Sequence, residues 1–190
     1  MAKKILMVTG DGAETLEVMY PWQRLREEGY DVIIAAPTKK RFRTVVHDFE
    51  PPCETYTEKW GYWVDAHAAF KEIDENKDFL LEKFVGLVIP GGRAPEWIRN
   101  NIDLEKIVRH FFDKKKPVAV ICHGAQILLA YNLVKDRTIT AYPVLARDFH
   151  NAGAEWVDKE VVVDGHLVSS RAWPDHPAWM REYIKILNKK

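Results

Sequence analysis

The chain has 190 residues, of which 47% are hydrophobic and 29% are charged, so a disordered chain or a disulfide-stapled miniprotein is excluded. Lysine and arginine together number 28, as do aspartate and glutamate, so the formal net charge is zero. Because there is no basic excess to neutralise phosphates, we expect no nucleic-acid partner. The first apolar run is too short for a signal peptide and no run reaches membrane-spanning length, so we expect a cytoplasmic protein without membrane association.

Short apolar runs alternate with helical patterns along much of the chain. Runs of this length, bounded by turn residues, are typical of strands buried on both faces of a sheet. Apolar residues at helical spacing over 14–28, with Gly29 just beyond, predict the first helix. Strands that alternate with helices form a parallel sheet covered on both faces, so we predict an α/β fold. The predicted buried strands are 5–8, 32–36, 85–89 and 118–121.

A long segment, 38–70, separates the second and third predicted strands. It is too long for an ordinary loop, and long insertions are often functional. A lid, a subunit contact and a packed surface excursion all stay open as interpretations. The segment is rich in proline and aromatic residues: Pro51, Pro52, Tyr56, Trp60, Tyr62 and Trp63.

The C-terminal part has a clear hairpin signal. Asp164-Gly165 stands between the apolar runs 160–163 and 167–170, and 176–187 predicts a closing helix. No repeat, low-complexity tract or linker is visible in the sequence. We therefore expect one domain over 1–190, with an insertion at about 38–70.

Cys122 stands between a predicted buried strand and a predicted helix. This order is the context of a nucleophile elbow, in which a strained turn lifts the nucleophile above the sheet edge. A helix N-terminus stabilises an anion, so we expect a depressed pKa for the Cys122 thiol. The alternatives are an inert buried cysteine at Cys122 and a structural histidine at His123, which follows it.

Two further segments reach the same predicted sheet edge. Gly92, in Pro-Gly-Gly-Arg, offers an unobstructed backbone N–H for an oxyanion, although a plain turn is the alternative. Glu14 follows the first strand and would be a general acid and base, or else only a helix-start glutamate. The seven histidines and two cysteines show no metal-ligand spacing, so we expect neither a metal nor another cofactor.

Taken together, these motifs resemble those of the ThiJ/PfpI superfamily, also called the DJ-one superfamily, over nearly the whole chain. That resemblance implies a flavodoxin-like, doubly wound, mostly parallel sheet of the class I glutamine amidotransferase-like type. Within the superfamily the chain looks like PfpI-type proteins, and its insertion is similar to the plant glyoxalase III branch. The matching pieces are Glu14-x-x-Glu17, Pro90-Gly-Gly-Arg-Ala-Pro-Glu96, Ile121-Cys122-His123-Gly124, Asn151-Ala-Gly-Ala-Glu-Trp156, Val46-His-Asp-Phe and Glu54-Thr55-Tyr56.

The resemblance implies a role for each site residue. Cys122 would be the nucleophile, Glu14 the carboxylic acid hydrogen-bonded to its sulfur, and His123 the neighbouring base. Gly92 and His123 would supply the backbone N–H groups of an oxyanion hole. Glu96 would reach across a subunit interface to the histidine of a neighbour, which implies a homo-oligomer with a dimer as the minimum and a hexamer or trimer-like assembly as larger forms.

Three functions are compatible with such a site, because this fold carries several chemistries. The first is a cofactor-independent glyoxalase III or deglycase-like enzyme, in which Cys122 adds to methylglyoxal or glyoxal as a hemithioacetal. The second is an intracellular cysteine peptidase that acts on a peptide through an acyl-enzyme. The third is a non-enzymatic oxidation sensor or chaperone, in which Cys122 becomes a sulfinate.

Overall fold

The computed structural model describes residues 2–189, which form one central sheet, a hairpin, a short two-stranded sheet and several helices. The α-helices are α1 (Thr15–Glu27), α2 (Ala94–Ile98), α3 (Ile102–Asp113), α4 (Ala125–Ala130), α5 (Ala146–Asn151) and α6 (His176–Leu187). The strands are β1 (Lys4–Val8), β2 (Asp31–Ala36), β3 (Arg41–Asp48), β4 (Thr57–Asp65), β5 (Ala68–Ala69), β6 (Phe84–Ile89), β7 (Val118–Ile121), β8 (Thr138–Ile139), β9 (Glu155–Trp156), β10 (Val161–Asp164) and β11 (Leu167–Ser170).

The central sheet has the order β10-β11-β7-β6-β1-β2-β5. Every neighbouring pair is parallel except β10 and β11, which are antiparallel. The five inner strands, β2-β1-β6-β7-β11, follow the flavodoxin-like order with its reversal beside β1. The predicted doubly wound, mostly parallel α/β fold is therefore confirmed.

The predicted elements agree closely with the observed ones. The four predicted buried runs lie inside β1, β2, β6 and β7, and β7 is buried at every position because helices cover both faces. The predicted hairpin is the β10–β11 pair, which turns at Gly165 with φ of 62°. The closing helix is α6, with the predicted bounds.

The insertion forms a hairpin, a structure that the sequence did not predict. Strands β3 and β4 pair antiparallel in a sheet of their own, outside the central sheet. Two backbone bonds join β3 to the loop after β1: the N–H of Gly12 donates to Arg43 at 2.9 Å, and the N–H of Val45 donates to Ala13 at 2.8 Å. This attachment places the hairpin over the carboxyl end of β1, the edge at which open parallel sheets bind their ligands.

No α-helix of residues 2–189 has both the length and the apolar character needed to cross a membrane. The longest is α1, with 13 residues.

Candidate active site

Cys122 occupies the sharp turn between β7 and α4. Its φ is 56°, in the left-handed region that a non-glycine residue adopts only under strain. The residue is 1% exposed. The predicted strand, strained turn and helix are therefore present around a buried thiol.

His123 lies directly beside the thiol. Its Nδ1 is 3.3 Å from the sulfur of Cys122, so two adjacent residues face one another because the turn is not extended. Burial lowers the pKa of His123 to about 4, which leaves the imidazole neutral at pH 7. The ring stacks on Tyr142, with 4.7 Å between the ring centroids.

The carboxyl group beside the sulfur belongs to Glu17, which corrects the expectation for Glu14. One oxygen of Glu17 accepts the backbone N–H of Gly91 at 2.7 Å, and its carboxyl interacts with the Cys122 thiol. Glu14 is instead the N-cap of α1, and its side chain accepts the N–H of Glu17 at 2.8 Å. The capping bond holds the Glu14 carboxyl against the helix end.

The carboxyl groups of Glu14 and Glu17 are both buried, and both have raised pKa values. Burial raises the pKa of Glu14 to about 7. Burial, and then the negative charge of Glu14, raise the pKa of Glu17 to about 8. Glu17 is therefore mainly protonated at pH 7, with a proton affinity matched to transfer near neutrality.

Two backbone N–H groups point at the sulfur, from Gly92 and from His123, and both favour the thiolate. These are the two donors that the sequence analysis paired. Gly92 has φ of 77°, and a Cβ there would lie 2.3 Å from the backbone nitrogen of Glu14. Only glycine fits this close approach of two chain segments.

The expected depression of the Cys122 pKa is wrong in this structure. Burial raises the pKa of the thiol well above its usual value, and the negative charge of Glu17 raises it further. The two N–H donors oppose this shift and do not overcome it. Helix α4 has only six residues and lies beyond a single 3-10 turn, so the thiol is not at the N-terminus of a long helix.

The insertion contributes a layer above the site that the sequence analysis did not assign. Tyr56 stacks on His47 with 4.2 Å between centroids, and its ring meets those of His123 and Tyr142 edge-on, at 6.1 and 5.8 Å. The unusual density of aromatic residues in 38–70 was the available sequence signal.

Glu96 forms no hydrogen bond or ion pair with this cluster in the part of the chain that the structure describes. It is exposed on α2, next to Trp97, which is 83% exposed. Cys53 is exposed on the hairpin. Within residues 2–189, no group of three or more His, Cys, Asp or Glu side chains is arranged to hold a metal ion.

Comparisons with known proteins agree with this architecture. The model of the DJ-1/PfpI family matches residues 3–186, so the chain belongs to the DJ-1/PfpI family. It is 44% identical to deglycase PH1704 of Pyrococcus horikoshii, over 97% of this chain and 99% of the relative. It is 38% identical to protein DJ-1 homolog D of Arabidopsis thaliana, over 97% of this chain and 48% of that protein.

Solved structures show the same fold at lower identity. The crystal structure of Drosophila melanogaster DJ-1beta superposes with a TM-score of 0.80 and 20% identity, covering all of this chain and 92% of that one.

Proposed function

We propose that the protein is a cofactor-independent enzyme, glyoxalase III or deglycase-like, that converts methylglyoxal or glyoxal to the hydroxy acid. The observation that carries the proposal is the cluster of Cys122, His123 and Glu17, in which a buried thiol has a neutral imidazole at 3.3 Å and a proton-bearing carboxyl beside it. Relatives named deglycases, from Pyrococcus horikoshii and from Escherichia coli, support an enzyme of this family.

The first step is addition of the Cys122 sulfur to the aldehyde carbon. The thiol proton leaves the sulfur, a carbon–sulfur bond forms, and the carbonyl electron pair moves to the oxygen, which takes a proton to give the hemithioacetal. The N–H groups of Gly92 and His123 lie beside the sulfur and would stabilise the oxyanion. Because the free thiol is protonated, addition needs a proton acceptor at the site, and His123 and ionised Glu17 are the adjacent groups.

The second step moves a proton between the two substrate carbons. A base removes the hydrogen of the former aldehyde carbon, and protonation of the neighbouring carbon gives a thioester of the hydroxy acid. The aldehyde carbon is oxidised and the ketone carbon reduced within one molecule, so no outside oxidant is required. Water then cleaves the thioester, releasing the hydroxy acid and restoring the thiol. Glu17 suits the proton shuttle because its pKa of about 8 lies close to neutrality.

Assembly into a homo-oligomer, a dimer at least, is part of the proposal. Exposed Glu96 and Trp97 on α2 would meet a second copy, and Glu96 would then approach the histidine of a neighbour. Light scattering of the purified protein, compared with Glu96→Gln and Trp97→Ala, tests this; a monomeric wild type at micromolar concentration would contradict it.

The two alternative functions fit the site less well. A peptidase needs an open groove for an extended polypeptide, whereas Cys122 is buried below Tyr56 and Tyr142. An oxidation sensor needs an accessible thiol of low pKa, whereas burial raises the pKa of this one.

The decisive experiment is lactate formation from methylglyoxal without glutathione or metal, under reducing conditions. We expect turnover by the wild type and by Cys53→Ser, and none by Cys122→Ser with an unchanged circular dichroism spectrum. Turnover by Cys122→Ser at the wild-type rate would contradict the mechanism.

A further inference from the structure

The segment 49–58, which leads from the end of β3 into the start of β4, is anchored to the main body at both of its ends. On one side, Phe49 stacks on Trp173, with 5.3 Å between centroids. On the other side, Glu58 bonds to Arg93 at 2.7 Å, immediately after the oxyanion donor Gly92. Because the segment is held at both ends, its position relative to the site is fixed.

Tyr56 lies within this span and is itself held by a buried neighbour. His47 stacks on its ring, and the same Glu58 carboxylate that binds Arg93 also bonds to Nε2 of His47 at 2.9 Å. His47 is 4% exposed and therefore packed in place. The ring of Tyr56 thus has little freedom to move away from His123 and Tyr142.

The rings of Tyr56 and Tyr142 both contact the imidazole of His123, at 6.1 and 4.7 Å between centroids, and Nδ1 of that imidazole is 3.3 Å from the sulfur of Cys122. Burial, and then the charge of Cys122, raise the pKa of each phenol, in agreement with their closeness to the thiol. Cys122 itself is 1% exposed. Three rings therefore border the site, and they change shape less readily than flexible side chains do.

From these contacts we propose that Tyr56, held by His47 and by the Glu58–Arg93 pair, is a specificity-determining roof that limits the substrate of Cys122 to small free oxoaldehydes. Adducts on a protein side chain and bulky aryl oxoaldehydes would be excluded by size. This inference rests on the proposed function for its substrate class, although the roof itself is a property of the structure.

The test begins with access to the thiol, which does not depend on any enzymatic activity. In a Cys53→Ser background Cys122 is the remaining cysteine, and its modification by a small reagent, iodoacetamide, and a bulky one, fluorescein maleimide, is followed by intact mass spectrometry. Removing the roof with Tyr56→Ala should raise the rate with the bulky reagent by about tenfold or more, and the rate with the small reagent by less. Tyr62→Ala is the matched control, because Tyr62 is on the same hairpin and 71% exposed.

The second arm compares kcat/KM for phenylglyoxal and methylglyoxal. Tyr56→Ala should raise the ratio of phenylglyoxal to methylglyoxal by about tenfold or more, since pocket size alone discriminates substrates by such factors. Tyr62→Ala should leave the ratio unchanged. Tyr56→Leu, which retains an apolar side chain next to His47, should give an intermediate ratio of kcat/KM values. It replaces the alanine variant in the test if that variant does not fold.

The outcomes test the role of Tyr56 separately from the proposed reaction. An unchanged labelling rate with the bulky reagent in a folded Tyr56 variant would show that Tyr56 does not limit access to Cys122. Faster labelling with an unchanged ratio of kcat/KM values would show that Tyr56 does not select substrates by size. If the Cys53→Ser protein converts neither oxoaldehyde, the proposed function fails, and the labelling arm still decides whether Tyr56 closes the site.

Discussion

Glu17 accepts the backbone N–H of Gly91 at 2.7 Å, and this bond joins the first turn of α1 to the loop that carries Gly92, the proposed oxyanion donor. A Cβ at Gly91 would lie 2.6 Å from the Glu17 carboxylate and 2.7 Å from the Cβ of Cys122. Three segments of chain therefore meet with no spare space. The carboxyl is fixed beside the sulfur by backbone, which is the arrangement a positioned proton donor needs.

Replacing Glu17 by glutamine should remove the proton shuttle and keep the shape of the site. We expect Glu17→Gln to lower kcat for methylglyoxal by about 10²- to 10⁴-fold, the range typical of a positioned acid or base. Glu14→Gln should have a smaller effect on kcat, because an amide oxygen can still accept the N–H of Glu17. Steady-state or stopped-flow assays of lactate formation decide which of the two glutamates is the proton shuttle. A near-wild-type kcat in Glu17→Gln, together with a large loss in Glu14→Gln, would assign that role to Glu14.

Gly91 provides a geometric test of the same contact. Gly91→Ala should displace the Glu17 carboxylate or the Cys122 turn and reduce kcat/KM by about a hundredfold, the effect of a small misplacement in an active site. Gly10→Ala is the control, since a Cβ there would meet its nearest atom at an ordinary 3.4 Å. Equal activity of the two variants would show that the contact at Gly91 is not needed.

The sequence predicted the frame of this site because strand burial and turn residues are local signals. The apolar run 118–121 ends at Cys122, and the Gly-Gly turn follows the apolar run 85–89, so both reach one sheet edge in a parallel fold. The choice between Glu14 and Glu17 was harder, because it depends on which residue begins α1. Glutamate is not among the preferred N-cap residues, so no local signal marked Glu14 as the cap of α1 and Glu17 as the carboxyl beside the sulfur.

The pKa of the thiol and the role of the insertion could not be read from the sequence. A cysteine before a helix indicates a low pKa only if solvent reaches it, and burial of Cys122 depends on packing by residues distant in the chain. Tyr56 reaches the site only because β3 bonds to the loop after β1, a non-local pairing.

Cys122 should react as a thiol of raised pKa. In a Cys53→Ser background we expect its alkylation by iodoacetamide to keep accelerating above pH 9, because burial disfavours the thiolate. Glu17→Gln should lower the pKa of Cys122, since the amide removes the negative charge that raises it. A full pH profile of alkylation measures both; a plateau already at pH 7 in the parent protein would contradict the assignment.

Thr44 joins the hairpin to the start of α1. Its hydroxyl is buried, lies 2.7 Å from that of Thr15, and donates to the carbonyl of Tyr62 at 2.8 Å. Thr44→Val keeps the shape and removes the donor to the carbonyl of Tyr62, while Thr15 keeps its bond to the carbonyl of Val45 at 2.9 Å. It should therefore cost about 1–3 kcal/mol in the free energy of unfolding. Urea unfolding measures this free energy, and the control is Thr57→Val, which removes a longer bond of 3.3 Å from a partly buried hydroxyl to the carbonyl of Asp48. Equal effects of the two substitutions would contradict the expected contribution of the buried contact.

Stability should fall with rising pH through the titration of Glu17. The folded-state pKa of about 8 exceeds the ordinary glutamate pKa of 4.5, so the folded state binds more protons than the unfolded state between these values. The stabilisation is therefore fully present at low pH and is lost as the pH rises toward 8, at up to about 1.4 kcal/mol per pH unit. Glu17→Gln lacks this titration, so its free energy of unfolding relative to the wild type should increase from pH 5 to pH 8.5 and then level off.

Chemical denaturation at several pH values measures that difference, and two features make it specific. His123 and His176, whose pKa values burial lowers to about 4, titrate in both proteins and cancel in the comparison to a first approximation. Glu27→Gln makes the same substitution at a side chain that is 76% exposed on the same helix, and it is the control variant. A flat difference for Glu17→Gln would mean that this carboxyl is ionised in the folded protein, and the proton shuttle near neutral pH would need another donor.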